Sequence, residues 1–163
     1  MKKIIVIGCP GSGKSTFSRQ LNARTDIPLF HLDMMYWNAD RTIVARPLFL
    51  QRLSTAMQGE KWIIDGNYAS TMEYRLQSCD TVFFLDYPVS VCLDGVQRRK
   101  GKIRTDLPWT ETDGEDDRRF IQYVKDFELK GRLQIISLLE KYPDKEIHIF
   151  TDRSQATEFL DKL

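Results

Sequence analysis

Short apolar runs alternate along this chain with longer stretches in which apolar residues recur every three or four positions. The predicted strands are the apolar runs at residues 3–7, 27–33, 61–65, 81–86 and 146–150. The predicted helices lie at about residues 14–24, 47–59, 70–77, 88–99, 118–142 and 154–162. Strands that alternate with helices in this way predict an α/β fold with a parallel, doubly wound sheet.

Helix ends are marked by residues that suit them. Pro47 fits the first turn of the second helix and Gly59 fits its end. Ser70 and Glu73 have the spacing of a capping box, which predicts that the third helix starts at Ser70. Gly131 is expected to bend the long helix at 118–142 rather than to end it.

The segment between the first strand and the first helix fits the pattern G-x-x-x-x-G-K-[ST]. In a strand–loop–helix context this pattern predicts a loop whose backbone N–H groups wrap the phosphates of ATP. Lys14 is expected to reach the β- and γ-phosphates, and the Ser15 hydroxyl to ligate Mg²⁺. The predicted nucleotide-binding residues are Gly8, Pro10, Gly11, Ser12, Gly13, Lys14, Ser15 and Thr16.

Carboxylates follow three of the predicted strands. In parallel sheets ligands bind outside the carboxyl ends of the strands, so these residues are expected near the phosphate loop. Asp65 closes the run Trp-Ile-Ile-Asp and is the predicted second Mg²⁺ ligand. Asp33 is the candidate that orients or deprotonates an acceptor. His31 fits a core or hydrogen-bonded histidine better than a catalytic one, and Asp86 fits the start of a helix.

Two further groups flank these carboxylates. Tyr36 and Trp37 directly follow Asp33 in a predicted loop, where they either wall an acceptor pocket or pack in the core. Arg98, Arg99 and Arg104 belong to a basic cluster at 98–104, which leads into an irregular stretch at about 100–117 that we interpret as a lid. Arginines that arrive on closure would stabilise a transferring phosphoryl group, although Arg99 also suits a helix C-terminus.

Composition limits the remaining choices. The chain has 163 residues, which suits one domain over 1–163 that includes the lid. A net charge of +1 argues against direct DNA binding, and no apolar run approaches the roughly 20 residues of a membrane helix. Three cysteines without metal-type spacing favour reduced thiols in the cytoplasm. Either a monomer or a small homo-oligomer is compatible with these numbers.

Four pieces of the chain occur together, in this order, in one known family. They are residues 8–16, His-Leu-Asp at 31–33 with Tyr36 and Trp37, Trp-Ile-Ile-Asp-Gly-Asn-Tyr at 62–68, and Phe-Leu-Asp at 84–86 with Arg98 and Arg99. The chain resembles, over nearly its whole length, the small adenylate-kinase-like P-loop proteins that are often labelled DNA topology modulation protein. The resemblance implies a three-layer P-loop NTPase fold with a sheet of order 2-3-1-4-5, ATP, Mg²⁺ and a lid. It also implies that Arg98 or Arg99 matches the lid arginine of adenylate kinases.

One part of the chain departs from adenylate kinases. These enzymes follow the metal-binding aspartate with an arginine that grips AMP, whereas Asp65 is followed by Gly-Asn-Tyr-Ala-Ser and no arginine before Arg75. Asn67 of this segment joins Asp33, Tyr36 and Trp37 in the predicted acceptor-binding set. We therefore expect an ATP-dependent phosphotransferase for a small molecule, which could be a nucleoside or nucleotide. The alternatives are a nucleotide-binding regulatory protein linked to DNA topology and a bare ATPase.

Overall fold

The computed structural model of the protein describes residues 1–111 and 115–163. Within them a five-stranded sheet has the order β2-β3-β1-β4-β5, and all neighbouring strands are parallel. The strands are β1 (Lys3–Gly8), β2 (Leu29–His31), β3 (Trp62–Asp65), β4 (Thr81–Leu85) and β5 (Glu146–Phe150). The predicted fold class and strand order are thus confirmed.

Helices cover both sides of this sheet and account for most of the remaining described residues. They are α1 (Lys14–Thr25), α2 (Leu32–Tyr36), α3 (Arg46–Met57), α4 (Ala69–Ser78), α5 (Val89–Arg99), α6 (Glu115–Asp126), α7 (Gly131–Leu139) and α8 (Arg153–Asp161). No helix in the described part of the chain combines the length and the apolar character needed to cross a membrane.

The centre of the sheet explains the continuous apolar runs in the sequence. Strands β1, β3 and β4 are buried along nearly their whole length, because helices shield both faces of a parallel sheet. Phe17 of α1 packs against Phe83 and Phe150 of the sheet, with ring centroids 5.0 and 5.9 Å away. The three cysteines are buried free thiols, which agrees with the prediction that they are not paired.

The predicted second strand and the aromatic loop after it differ from the structure. The strand ends at His31, and Leu32–Tyr36 forms a short helix, so Asp33 lies in a helical turn rather than at a strand end. Leucine and methionine at three of the five positions favour helix, and Leu32 is fully buried. The turn closes when the Trp37 N–H donates to the Asp33 carbonyl at 3.1 Å.

The capping-box prediction is wrong. Helix α4 begins at Ala69, so Ser70 lies inside the helix, and Tyr68 is the N-cap residue without a side-chain capping bond. Tyr68 has a φ of 39°, a left-handed conformation that is uncommon for a bulky residue. The chain accepts it because the neighbouring carbonyls are held by a buried arginine, described below.

The long helix predicted at 118–142 is divided in two. Helix α6 ends at Asp126 and α7 begins at Gly131, so the glycine separates two helices instead of bending one. A Cβ atom on Gly131 would lie 2.7 Å from the Phe127 ring, and this close approach accounts for glycine at the junction.

Residues 100–111 between α5 and α6 contain neither helix nor strand, as predicted for this stretch. The rest of the predicted lid region is divided between residues 112–114, which lie outside the described residues, and the first turn of α6. We call residues 100–111 the lid segment, and its movement remains a prediction.

Candidate active site

The phosphate loop connects β1 to α1 and depends on glycines for its path. Gly11 and Gly13 have φ angles of 84° and 97°, which strongly favour glycine. Gly11 also packs on α5, where Gly95 faces it. A Cβ atom on either glycine would lie 2.0 Å from a backbone oxygen of the opposite segment. Gly95 was not predicted, because no pattern within α5 indicates that it contacts the phosphate loop.

Lys14 lies along this loop. Its ammonium group donates to the carbonyls of Gly8 and Cys9, at 2.9 and 3.1 Å. Burial lowers the pKa of Lys14, and the nearby carboxylates of Asp65 and Asp33 oppose that shift. Lys14, the predicted phosphate ligand, thus lies at the same edge of the sheet as the predicted carboxylates Asp33 and Asp65.

Asp65 and His31 form a pair across adjacent strands. The two residues are in register between β2 and β3, and His31 Nδ1 lies 2.8 Å from Asp65 Oδ1. This contact agrees with a hydrogen-bonded role for His31. The other carboxylate oxygen, Oδ2, is buried and has no hydrogen-bond partner among the described residues.

Mg²⁺ fits this arrangement. The cation prefers oxygen ligands and keeps several waters and substrate phosphates, so it needs only one or two protein ligands. The unpartnered Asp65 Oδ2 and the Ser15 hydroxyl are oxygens of this kind at the phosphate loop. The described residues contain no cluster of three or more His, Cys, Asp or Glu side chains suited to a metal.

Asp33 faces the same cavity and accepts a hydrogen bond of 2.6 Å from the Tyr68 hydroxyl. Burial raises the pKa of Asp33, while the Tyr68 hydrogen bond opposes this and the charge of Asp65 adds to it. A carboxyl with a raised pKa is suited to accept a proton near neutral pH. Tyr68 was not among the predicted site residues, although it belongs to the Asp-Gly-Asn-Tyr segment after β3.

Tyr36 and Trp37 both border this cavity, and both also pack against other rings. The Tyr36 ring centroid lies 4.7 Å from that of Tyr68 and 5.2 Å from that of Phe49. Trp37 lies 5.2 Å from Trp109 of the lid segment, with the rings nearly perpendicular at 88°. Both rings thus line the cleft and pack against neighbouring aromatic rings, and their contact with an acceptor stays a prediction.

The three predicted arginines have different surroundings. Arg98 is 72% exposed and its Nε lies 2.8 Å from Asp94, one helical turn away. Arg99 Nη2 and Arg104 Nη1 both donate to Glu111, at 2.8 and 2.7 Å. Arg99 and Arg104 are therefore held together over the cavity, whereas Arg98 lies at its rim.

Asp106 anchors the lid segment and was not predicted. Its carboxylate is 2% exposed and accepts from Arg104 Nε at 3.1 Å, with Arg19 of α1 at 3.6 Å. Burial would raise the pKa of Asp106, but the hydrogen bonds from Arg104 and Ser15 hold it well below its usual range. The lid segment thus meets the phosphate-loop helix through a buried carboxylate.

Asn67 and Arg75 stabilise the segment after β3. The Asn67 side chain accepts from the Gly8 N–H at 3.0 Å and donates to the Gly8 carbonyl at 2.8 Å, so both ends of its amide are engaged. Arg75 is fully buried and donates to the carbonyls of Gly66, at 2.9 Å, and Asn67. Burial lowers the pKa of Arg75 to about 10. Arg75 faces backbone rather than the cavity.

A single cleft of about 2020 Å³ joins the phosphate loop to the aromatic residues. It brings together Lys14, Ser15, Asp33 and Asp65, and the lid segment borders it through Arg104, Asp106 and Trp109. A volume of this size holds a nucleotide and a second small molecule side by side.

Comparison with known proteins identifies the fold. No protein-family model matches the chain, and no curated protein does. Among the solved structures that match is a shikimate kinase from Bacteroides thetaiotaomicron, determined at 1.7 Å resolution. It shares 18% sequence identity and a TM-score of 0.63, and the alignment covers 98% of this chain and 94% of that one. None of the comparisons supports the narrower resemblance to DNA topology modulation proteins. At this identity the likeness shows the fold alone.

Proposed function

We propose that this protein transfers the γ-phosphoryl group of Mg²⁺–ATP to a hydroxyl group of a small molecule. The observation that carries the proposal is the cleft itself, in which Lys14 of the phosphate loop and the half-buried carboxylate of Asp33 face a common space. The shikimate kinase, whose name states a phosphotransferase, supports the same class of reaction. A bare ATPase would not need a second, half-buried carboxylate beside a large aromatic pocket.

In the proposed reaction the acceptor hydroxyl oxygen attacks the γ-phosphorus. A new O–P bond forms, the bond from the γ-phosphorus to the β–γ bridging oxygen breaks, and ADP leaves. The hydroxyl proton passes to the Asp33 carboxylate. Lys14 binds the phosphates, and Arg99 and Arg104, whose charges act on Asp33, offset the negative charge of the moving group.

Magnesium, when bound through Ser15 and Asp65, would neutralise charge on the β- and γ-phosphates. The residues of the chain perform the other tasks. The lid segment covers the cleft and limits the access of water, which would otherwise compete with the acceptor. Movement of this segment would let ATP and products exchange.

The proposal is tested by incubating the purified protein with Mg²⁺–ATP and pools of small hydroxylated metabolites. We expect one or a few compounds to accelerate ADP release and to gain the mass of a phosphoryl group. The Lys14→Ala variant should show neither effect. ADP formation at the same rate with and without every compound, with free phosphate as the product, would indicate an ATPase and contradict the proposal.

A further inference from the structure

Four aromatic side chains form a chain of ring contacts along the cleft that begins at Tyr68, whose hydroxyl binds Asp33. We call them the aromatic chamber: Tyr36, Trp37, Tyr68 and Trp109. The ring centroids of Tyr36 and Trp37 lie 5.1 Å apart. The Tyr68 ring lies 4.7 Å from Tyr36, and the Trp109 ring lies 5.2 Å from Trp37. All four border the same cleft as Asp33. Such rings offer a large apolar surface and favour flat ligands that pack against them.

The chamber is built from separate parts of the chain. Tyr36 and Trp37 come from the end of α2, Tyr68 precedes α4, and Trp109 belongs to the lid segment. Arg41 lies 5.9 Å above the Trp109 ring and donates to the Thr110 carbonyl at 3.4 Å. The lid segment therefore completes the chamber while it covers the phosphate loop. Recognition of an acceptor ring and closure over ATP would occur together.

Two arginines that border the cleft and act on Asp33, Arg99 and Arg104, share Glu111. Arg75 lies outside the cleft, where it is fully buried and donates to backbone carbonyls. In the proposed reaction Arg99 and Arg104 serve the transferred phosphoryl group, so a carboxylate or phosphate on the acceptor would compete with that group for them. It would also approach the carboxylate of Asp33, which disfavours a second negative charge nearby.

We infer that the acceptor is an uncharged alcohol carried on a planar ring system, with the chemistry of a nucleoside. Its ring packs in the aromatic chamber and its hydroxyl reaches Asp33. The transfer gives a phosphate monoester and ADP, and the hydroxyl proton goes to Asp33. This inference rests on the proposed phosphotransferase function and adds to it the class of acceptor.

The test compares matched compounds that differ in charge. Nucleosides are assayed against their 5′-monophosphates, and pyridoxine against 4-pyridoxic acid, with shikimate as a non-aromatic acid. We expect phosphorylation of one or more uncharged ring alcohols, with kcat/KM at least about tenfold above that of the charged partner. Equal or faster phosphorylation of the charged partner would overturn the inference.

Variants of the chamber provide a second measurement. Trp37→Leu and Trp109→Leu should each raise the acceptor KM about tenfold or more, because they remove ring contacts, while ATP binding stays unchanged. Tyr74→Leu is the matched control, since Tyr74 is exposed on α4 and does not border the cleft. An acceptor KM within about twofold of wild type in both tryptophan variants would overturn the inference.

A direct measurement of nucleoside binding to the wild-type protein tests the inference even if a tryptophan variant does not fold. In the wild-type protein, titration with the preferred nucleoside should quench the fluorescence of the chamber tryptophans, and its monophosphate should quench more weakly. Stronger quenching by the monophosphate would overturn the inference.

ATP binding, measured by calorimetry, separates the two proposals. Failure to bind ATP would remove the phosphotransferase function itself. ATP binding with phosphorylation of acids alone, or of no ring alcohol in the panel, would overturn only the acceptor class.

Discussion

At the scale of single residues, the hydrogen bond from Tyr68 to Asp33 opposes the effect of burial on the pKa of the proposed base. Burial raises the pKa of Asp33 and the Tyr68 hydroxyl lowers it. Because the base acts only when deprotonated, activity should fall as the pH drops through this pKa, above the usual range of an aspartate. Tyr68→Phe removes the lowering contact but keeps the ring, so the acidic limb of kcat/KM should move to higher pH.

The pH profile of kcat/KM for wild type and Tyr68→Phe measures this shift. Tyr74→Phe serves as the control, because it makes the same chemical change on an exposed tyrosine of α4. An acidic limb that stays in place, or moves to lower pH, in Tyr68→Phe would show that this hydroxyl does not tune the base.

Asp33→Asn separates chemistry from folding. Transfer should fall about 10²- to 10⁴-fold, the usual contribution of a general base, while ATP affinity is retained. Burial raises the folded-state pKa of Asp33, so ionised Asp33 lowers the free energy of unfolding at pH values above its unfolded-state pKa. This destabilisation disappears as the pH falls and the carboxyl group becomes protonated. The asparagine variant should therefore melt at a temperature no lower than wild type at pH 7. Calorimetry and a phosphoryl-transfer assay measure the two effects, and undiminished transfer would remove Asp33 from the mechanism.

Residues that share a local motif were predictable, and residues that act through space were not. The phosphate loop and Asp65 stand out because their spacing in the chain has a direct geometric meaning. Asp106 and Glu111 gain their roles only when the lid segment folds back onto α1 and α5. A charged residue in an irregular stretch gives no local sign of such a partner.

At the scale of elements, the lid segment is held to the phosphate-loop helix by Asp106. This carboxylate is buried and bound by Arg104 and Arg19, and it contacts Ser15. Removing one partner of a buried ion pair leaves an uncompensated charge and costs about 3–5 kcal/mol. Asp106→Asn should therefore release the lid segment before it unfolds the domain, and trypsin should cut at Lys102 or Arg104 about tenfold faster.

Asp161→Asn is the matched control for this experiment. Asp161 pairs with Arg24 at 3.3 Å, but its side chain is 63% exposed, and exposed pairs contribute at most about 1 kcal/mol. Trypsin should therefore cleave the Asp161→Asn variant at the same sites and at the same rate as wild type. If Asp106→Asn and Asp161→Asn are cut at the same rate, Asp106 does not anchor the lid segment.

Element types were easier to predict than their boundaries. Alternating apolar runs and helical spacings identified the five strands and their connecting helices, because a buried parallel strand excludes polar residues. The division between α6 and α7 depends on how closely Gly131 approaches Phe127, which the periodicity cannot show. Helix α2 was missed because its five residues are too few to show a helical periodicity, although its leucine and methionines favour helix.

At the scale of the whole molecule, the fold fixes where chemistry occurs and leaves open which molecule is modified. The carboxyl ends of β1, β2 and β3 bring Lys14, Asp33 and Asp65 to one edge of the sheet, as the topology requires. The donor side of the proposed reaction follows from this arrangement, and the shikimate kinase shares the fold. The acceptor side of the proposed reaction depends on α2, α4 and the lid segment, and the fold does not dictate their side chains.

Ligand binding should change the stability of the whole domain through Lys14. ATP that binds only the folded state, at about 100 times its Kd, would stabilise it by about 2.7 kcal/mol and raise the melting temperature. Lys14→Met should abolish this increase. Burial lowers the folded-state pKa of Lys14, so below that pKa the protonated amine lowers the free energy of unfolding. Without ATP, the Lys14→Met variant should therefore have a melting temperature no lower than that of wild type. Lys61→Met, at an exposed lysine, should leave both values unchanged. Calorimetry with and without Mg²⁺–ATP provides the comparison, and a full ATP-dependent increase in Lys14→Met would refute the phosphate-binding role.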